Sequence, residues 1–323
     1  MRILFVHNSM RSFVRMDRDI LASVHEVDEL DLSVRSRIAS LPVRLAQADL
    51  VFNWFASLHS FFPSVLAAAG RKPVVSVVGA YDAANVPEIR FGHMGHPVKR
   101  HVVRAICGVS SLLICNSEYA ADTVRQNVRT RTPIRVLHHG VHFPPEPAEN
   151  DREAVVLSVG QVKRANLARK GHEVFVHAAA ALPEVSFILV GEILDASGDY
   201  LRSIAPPNFE LRDHIPQDKL DALYRRASVY VQASVHESFG LAVVEAMGAG
   251  EIPVVSRRGA LPEVVREHGI FIDENDPASV AAGVTKALAA PVERRRSAAA
   301  YVRQTFPLSK RREGLLEAVV SVS

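Results

Sequence analysis

Two glutamates eight positions apart, Glu237 and Glu245, stand in the stretch 234–265 (SVHESFGLAVVEAMGAGEIPVVSRRGALPEVV), with Ser238-Phe239-Gly240 between them. The pattern after Gly240 predicts a helix opening near that glycine, so Glu237 falls in the preceding loop and Glu245 more than one turn inside. A helix N-terminus carries unpaired N–H groups and the positive end of the helix dipole. The backbone around Phe239 to Ala242 could therefore hold a diphosphate without any metal. Glu237 and Glu245 would then accept hydrogen bonds from sugar and ribose hydroxyls. The alternative makes Glu237 a helix cap and Glu245 a solvated helical residue, and these residues alone leave both open.

Other groups that could do chemistry are more scattered. Asp82 follows an apolar run and Gly79-Ala80-Tyr81. That places it at the carboxyl edge of a buried strand, where open α/β sheets bind ligands. It could contact a ligand bound there, or cap a short turn. Trp54, Phe55, Phe61 and Phe62 near His59 could line an acceptor site, with core packing the competing explanation. Asp17-Arg18-Asp19 has the DxD form of a metal-binding pair, yet it falls inside a predicted helix, where solvated carboxylates are common. His172 and His177 bracket an HExxxH string, whose i, i+5 spacing puts the imidazoles on different faces of a helix rather than around one zinc ion.

The elements that must position these residues alternate along the chain. Arg2 to His7, Glu26 to Leu32, Leu50 to Trp54, Val74 to Val78, Leu112 to Asn116 and Ile134 to Leu137 read as strands, with helical spacing at Ser12 to Val24 and Ala120 to Asn127. A β-α-β alternation implies a parallel sheet. The stretch from Phe143 to Asp151 (FPPEPAEND) breaks the periodicity and reads as a linker. Alternation resumes with Ala154 to Val159, Phe187 to Val190, Phe209 to Arg212, Val229 to Gln232, Pro253 to Ser256 and Ile270 to Asp273. Asp276 and Pro277 supply a cap and a first-turn proline for the helix that follows. No internal sequence repeat relates the halves. The expected organisation is therefore two Rossmann-like domains, residues 1–146 and 147–305, and a terminal helical segment 306–323.

Composition sets the outer bounds. The 323 residues are 48% hydrophobic and 23% charged, enough to fill real cores. Two cysteines, Cys107 and Cys115, cannot build a disulfide scaffold or a cysteine zinc cluster. No run of 18 apolar residues occurs, and the first ten residues lack the apolar stretch and cleavage site of a signal peptide, so a cytoplasmic protein is expected. The net charge of +3 is too small to imply a nucleic-acid partner. It suits an anionic small ligand or peripheral contact with an acidic membrane surface equally well. Neither a GxGxxG after the first strand nor a GxxxxGK[ST] loop is present, which removes the usual support for hydride transfer and P-loop phosphoryl transfer.

With these residues in view, the segment 234–265 resembles the Glu-x7-Glu signature of retaining GT-B glycosyltransferases of glycosyltransferase family four, the group one glycosyl transferases. The glutamate pair is followed by a small-residue turn (Met247 to Gly250), a strand (Pro253 to Ser256) and a Gly-x-x-Pro-Glu element (Gly259, Pro262, Glu263). Upstream, Val159-Gly160, Arg169-Lys170-Gly171, the Pro183 to Gly191 stretch and Lys219 to Ala227 resemble the same family's second half. Asn116-Ser117-Glu118 and His139-Gly140-Val141 match short signatures of its first half.

The resemblance implies an α/β GT-B fold, two Rossmann-like domains with parallel sheets and an active site in the cleft between them. The implied reaction is metal-independent transfer of a sugar, most simply a hexose, from a nucleotide-diphosphate sugar to an acceptor hydroxyl with retention of configuration. No cofactor is required. The acceptor could be a glycan, a lipid-linked sugar or a small molecule. Carried over by residue, Glu237 contacts donor-sugar hydroxyls, Glu245 the ribose, and the backbone of Ser238, Phe239 and Gly240 the sugar and distal phosphate. Lys170 neutralises the diphosphate leaving group, where fixed charge favours the transition state. Three departures stand out. Gly160 is followed by Gln161 where the family has an arginine, so Lys163, Arg164 or Arg169 would have to stand in, unless they form a solvated basic loop. Asn8-Ser9-Met10-Arg11-Ser12 replaces a glycine pair after the first strand, and Gly79-Ala80-Tyr81-Asp82 replaces a histidine-bearing strand end. A nucleotide-sugar epimerase of the same fold, or a catalytically weakened nucleotide-sugar-binding partner subunit, are the alternatives.

Overall fold

The computed structural model describes residues 1–143, 152–273 and 276–323. Most of the expected linker, residues 144–151, lies outside the described residues. The chain divides into two compact units, one of residues 1–140 with 308–323 and the other of residues 141–307.

Each unit is built on a six-stranded parallel sheet. In the first, β1 (Arg2–His7), β2 (Glu26–Asp31), β3 (Leu50–Trp54), β4 (Val74–Val77), β5 (Leu112–Cys115) and β6 (Ile134–Val136) lie in the order β2-β1-β3-β4-β5-β6. In the second, β7 (Val155–Val159), β8 (Ser186–Val190), β9 (Phe209–Arg212), β10 (Val229–Gln232), β11 (Ile252–Ser256) and β12 (Ile270–Ile272) lie in the order β12-β11-β10-β7-β8-β9. β3, β4, β5 and β10 are buried along their whole length, as strands covered by helices on both faces must be. Several observed strands stop one residue short of the sequence expectation. Leu32, Val78 and Leu137 each still donate one bond, to His7, Ile114 and Cys115, but no longer belong to a ladder.

Strand order decides where a ligand can bind. Chain direction across a doubly wound sheet reverses at one point, and the loops leaving the two strands there diverge to open a crevice at their carboxyl ends. In the first unit that point lies between β1 and β3, and in the second between β7 and β10.

Capping follows the sequence. Asp276 accepts from the amides of Ala278 and Ser279 at 3.1 Å and starts the helix Pro277–Leu288. The expected helix Ala120 to Asn127 begins earlier, at Glu118, because the Ser117 hydroxyl accepts from Ala120 N at 3.0 Å, and it ends as a π-turn over Val124–Val128. The helix Leu308–Val320 belongs to the first unit, where Leu315, Ala318 and Val319 join the core of β1, β3 and β4. Arg311 on that helix is completely buried and grips Asp17 through two bonds of 3.0 and 2.6 Å. Its third contact is the Leu137 carbonyl at 2.6 Å. Of the solvated carboxylates expected in Asp17-Arg18-Asp19, Asp17 is instead buried. Asp17 is spent on Arg311, and Asp19 pairs with Arg18 at 2.9 Å.

Candidate active site

The reversal point of the second sheet brings together most residues singled out from the sequence. β7 runs into Gly160, Gln161 and Lys163, the helix Arg164–Lys170 follows, and β10 runs into the loop carrying Glu237. Close backbone packing shapes these loops. A side chain at Gly191 would strike the Gly160 carbonyl at 1.9 Å, so the loops after β7 and β8 approach as only glycine allows. Gly171 has φ +71°, and a Cβ there would meet the Ala233 carbonyl at 2.2 Å. It ends the helix in the left-handed conformation and returns the chain under the end of β10.

Lys170, in the last turn of that helix, reaches Glu237 at 2.6 Å, and both side chains are largely buried. Burial pushes the Glu237 carboxyl upward, but the Lys170 and Arg169 cations outweigh it and hold the carboxyl below its usual value. Glu237 therefore stays ionised at neutral pH. Its other oxygen accepts from Ser238 N at 3.2 Å. It does not cap the helix Leu241–Gly248, whose N-cap is Gly240 at φ +91° with no side chain covering the helix end. Gly259 lies against the Glu237 backbone, where a Cβ would meet the Glu237 carbonyl at 2.1 Å, and Ala260 N donates to that carbonyl at 2.9 Å. The Gly-x-x-Pro-Glu element thus fixes the loop that aims Glu237.

Phe239 is buried and packs edge-on against Phe306, so only its backbone can meet a ligand. Ser238 is half-buried beside it. Glu245, one turn inside the helix, accepts from the Tyr224 hydroxyl at 3.0 Å. Burial drives its carboxyl up to about 7 against that hydrogen bond, and the neighbouring Asp221 adds to the rise. The cap and the solvated-residue readings of the two glutamates both fail on these contacts.

Gln161, where the resemblance leads to an arginine, donates its amide to Glu192 at 2.8 Å. Arg164 is exposed and offers its backbone N–H to Asp195 at 2.9 Å, while Lys163 forms the N-cap of the same helix. Arg169 is steered by Asn166, whose side-chain oxygen accepts from it at 2.9 and 3.2 Å. Sequence reasoning missed Asn166, an i, i+3 neighbour of Arg169 on the same helix, and Tyr224, which reaches Glu245 from another element that linear spacing does not report. His172 is buried under Gly160 and pushed to about 3 by burial and the nearby Lys170 and Arg169, whereas His177 is exposed. No group of three or more His, Cys, Asp or Glu among the described residues is arranged to hold a metal.

Asp82 is elsewhere, in the first unit. It lines an open cavity of about 930 Å³ formed by the loops after β1, β2, β3 and β4. One carboxyl oxygen accepts from Gly79 N at 2.8 Å and Ala56 N at 3.1 Å, tying two strand ends together, while burial pushes the group up to about 7. The aromatic residues divide. Phe55, Phe62 and His59 line this cavity, while Trp54 and Phe61 pack in the core. Phe55 adopts φ +72°, and Gly79 makes room for its ring, which a Cβ would meet at 2.9 Å. Asn116 and His139, from the two short signatures, meet at 3.2 Å in the same unit.

Comparison with known proteins assigns the class of a chain with two Rossmann-like units and a glutamate–lysine pair beside a helix N-terminus. Many structures align over nearly the whole chain. The Anabaena protein HepE, crystallised with UDP and glucose, is 18% identical over 99% of this chain and 100% of its own, with a TM-score of 0.79. Sucrose-phosphate synthase from Thermosynechococcus elongatus is 17% identical over the full length of both chains, also at 0.79. The fold is GT-B. Residues 142–305 match the sequence model of the family described as glycosyl transferases group 1, and the chain belongs to that family. A D-inositol 3-phosphate glycosyltransferase of Mycolicibacterium vanbaalenii is 29% identical over 93% of this chain and 74% of its own. A second, from Streptomyces bingchenggensis, is 28% identical over 74% of this chain and 59% of its own. The protein is a group 1 glycosyltransferase.

Proposed function

We propose that the chain is a retaining, metal-independent hexosyltransferase whose donor, a nucleoside-diphosphate sugar, binds at the carboxyl ends of β7 and β10. The observation that carries this reading is the 2.6 Å Lys170–Glu237 pair beside the uncapped helix Leu241–Gly248. Transfer breaks the bond between the sugar's anomeric carbon and the distal phosphate oxygen, and negative charge grows on the departing diphosphate. Lys170 has three N–H donors and spends one on Glu237, which leaves two for that phosphate. The helix N-terminus adds its dipole at the same place. Glu237, held ionised by Lys170, accepts from donor-sugar hydroxyls, and Glu245 accepts from the ribose. Fixed cations and a helix end together take the role that a divalent ion has in other transferases.

UDP and UDP-glucose in the HepE structures favour a uridine nucleotide as the first donor to try. The test is a thermal-shift panel of nucleotide sugars, followed by product analysis with an acceptor present. Activity that survives EDTA and yields the donor's own anomer supports the reading. Inverted product, or activity abolished by EDTA and restored by manganese, overturns it.

The Gln161–Glu192 contact favours a second reading, a donor-binding subunit with weakened catalysis, because it leaves no cation directly after Gly160. That reading requires donor binding without turnover for every acceptor.

A further inference from the structure

The cavity in the first unit has a character of its own. It sits at the reversal point of that sheet, between the loops that follow β1 (Asn8, Ser9 and Arg11) and β3 (Phe55, Ser57 and Leu58), where a doubly wound fold binds ligands. Its cations are Arg11, from the loop after β1, and Lys99, at the start of the helix Lys99–Val109, and neither side chain makes an ion pair or hydrogen bond among the described residues. Lys99 is half-buried all the same. Its ammonium is not sealed from solvent and keeps its N–H donors free for a bound anion.

The lining itself offers little negative charge. Between Leu32 and Ser117 the chain has three carboxylates, Asp49, Asp82 and Glu88, against nine Lys and Arg. Asp82 is the one acidic residue lining the cavity, and it is tied to Gly79 and Ala56. His59 adds no charge. It donates Nε2–H to the Trp54 carbonyl at 2.9 Å and meets the Ser57 hydroxyl through Nδ1, and burial keeps it neutral.

The rest of the lining is apolar and runs out onto the surface. Leu58 and Phe62, on the helix Leu58–Ala69, line the cavity yet are 60% and 54% exposed. Leu66, 46% exposed, extends the same face by one more turn. Spacing of i, i+4, i+8 makes these three one continuous stripe. Ile38, 41% exposed, lines the cavity from the loop after β2. Exposed apolar surface that is continuous with a pocket marks a binding site rather than ordinary surface.

We propose that this cavity takes an amphiphilic acceptor whose phosphate-type anion sits between Arg11 and Lys99 and whose apolar segment lies along Leu58, Phe62 and Leu66. The inference rests on the transferase reading for the word acceptor, and on the cavity alone for the chemistry. A phosphate could come from a soluble phosphorylated alcohol or from the headgroup of a lipid. The apolar stripe selects the second.

Trp54 is the single tryptophan, and its ring lies 5.3 Å from that of Phe55 in the cavity wall, so its fluorescence reports occupancy. The full chain is titrated with dodecyl phosphate, dodecyl maltoside and glycerol phosphate, the first two below their micelle concentrations. Dodecyl phosphate is expected to bind at least about tenfold more tightly than either of the others. Arg11→Gln with Lys99→Gln should erase its advantage over dodecyl maltoside, and Leu58→Ser with Phe62→Ser should erase its advantage over glycerol phosphate. Equal binding of the two dodecyl compounds to the parent overturns the anion site. Equal binding of glycerol and dodecyl phosphates overturns the apolar half and points to a soluble acceptor. A UDP titration of the same protein reads the second unit separately. Amphiphile selectivity without nucleotide binding sinks the transferase reading alone, and nucleotide binding without amphiphile selectivity sinks this inference alone.

Discussion

The two sheets open their crevices by the same rule, yet the groups placed there are held in opposite ways. In the second unit each charged group has a partner: Lys170 pairs with Glu237, Arg169 donates to the neutral Asn166, and Glu245 accepts from the Tyr224 hydroxyl. In the first unit the cations at the crevice stand alone, and the buried carboxylates are employed in holding the protein together, Asp17 by Arg311 and Asp82 by two backbone amides. The difference shows that a carboxylate near a strand end is not chemistry by default. What decides is whether its partner is a mobile-tipped cation that can be shared with a substrate or a rigid group that cannot. Lys170 spends one of its three donors at the edge of the site, whereas Arg311 is completely buried and its planar fork is fixed by three bonds to Asp17 and Leu137.

That contrast can be broken most forcefully at the structural end. Arg311→Met leaves Asp17 charged and unpaired in the core, and should lower the unfolding free energy by about 3 to 5 kcal/mol in a urea titration. Replacing both, Arg311→Met with Asp17→Leu, should recover most of the loss. A single-variant cost below about 1 kcal/mol would place Asp17 among the carboxylates with other work.

At the other end, Glu237→Gln should lower kcat about 100-fold, roughly 2.7 kcal/mol, with donor affinity little changed, because its hydrogen bonds strengthen as charge develops on the sugar. Glu245→Gln should do the reverse. The ribose is not altered in the reaction, so losing a charged hydrogen bond to it costs about 2 kcal/mol in donor binding and leaves kcat near the parent's. If the two variants fall in the same kinetic parameter, the division of labour between the glutamates is wrong.

A smaller effect separates the same pair by pH. Burial raises Glu245 from 4.5 to about 7, so the folded state holds a proton there that the unfolded chain gives up. Its contribution favours the fold below pH 4.5 and is lost as pH rises toward 7. Glu237 is held low, so its contribution has the opposite sign and is lost on acidification. Glu245→Gln should therefore flatten the decline in thermal stability between pH 4.5 and 7. An unchanged slope would mean that its carboxyl titrates alike in both states. Asp82, raised to about 7, keeps part of the slope in either protein.

Much of this was legible in the sequence, and the reasons are local. The central strands, such as β4, β5 and β10, carry dense Val, Ile and Leu runs because both of their faces are buried, whereas edge strands such as β2 and β9 are more polar. The placement of Glu237 before a helix and Glu245 inside it was readable because Gly240 is a single, local helix signal. Lys170 came only through the family resemblance. Its contact with Glu237 spans 67 positions and depends on Gly171 turning the chain beneath β10. The Asp17–Arg311 pair, across 294 positions, was not readable at all, and so Asp17 read as a solvated helical carboxylate. The solitary state of Lys99 was hidden for the complementary reason: a missing partner leaves no pattern.

The central claim is that Lys170 meets the departing diphosphate. It is tested by measuring kcat and donor Kd for Lys170→Ala with the donor found by the thermal-shift panel. A fall in kcat of at least about tenfold, or 1.4 kcal/mol, with the donor still bound at saturation is the predicted result. An unchanged kcat in a folded, donor-saturated variant would contradict it.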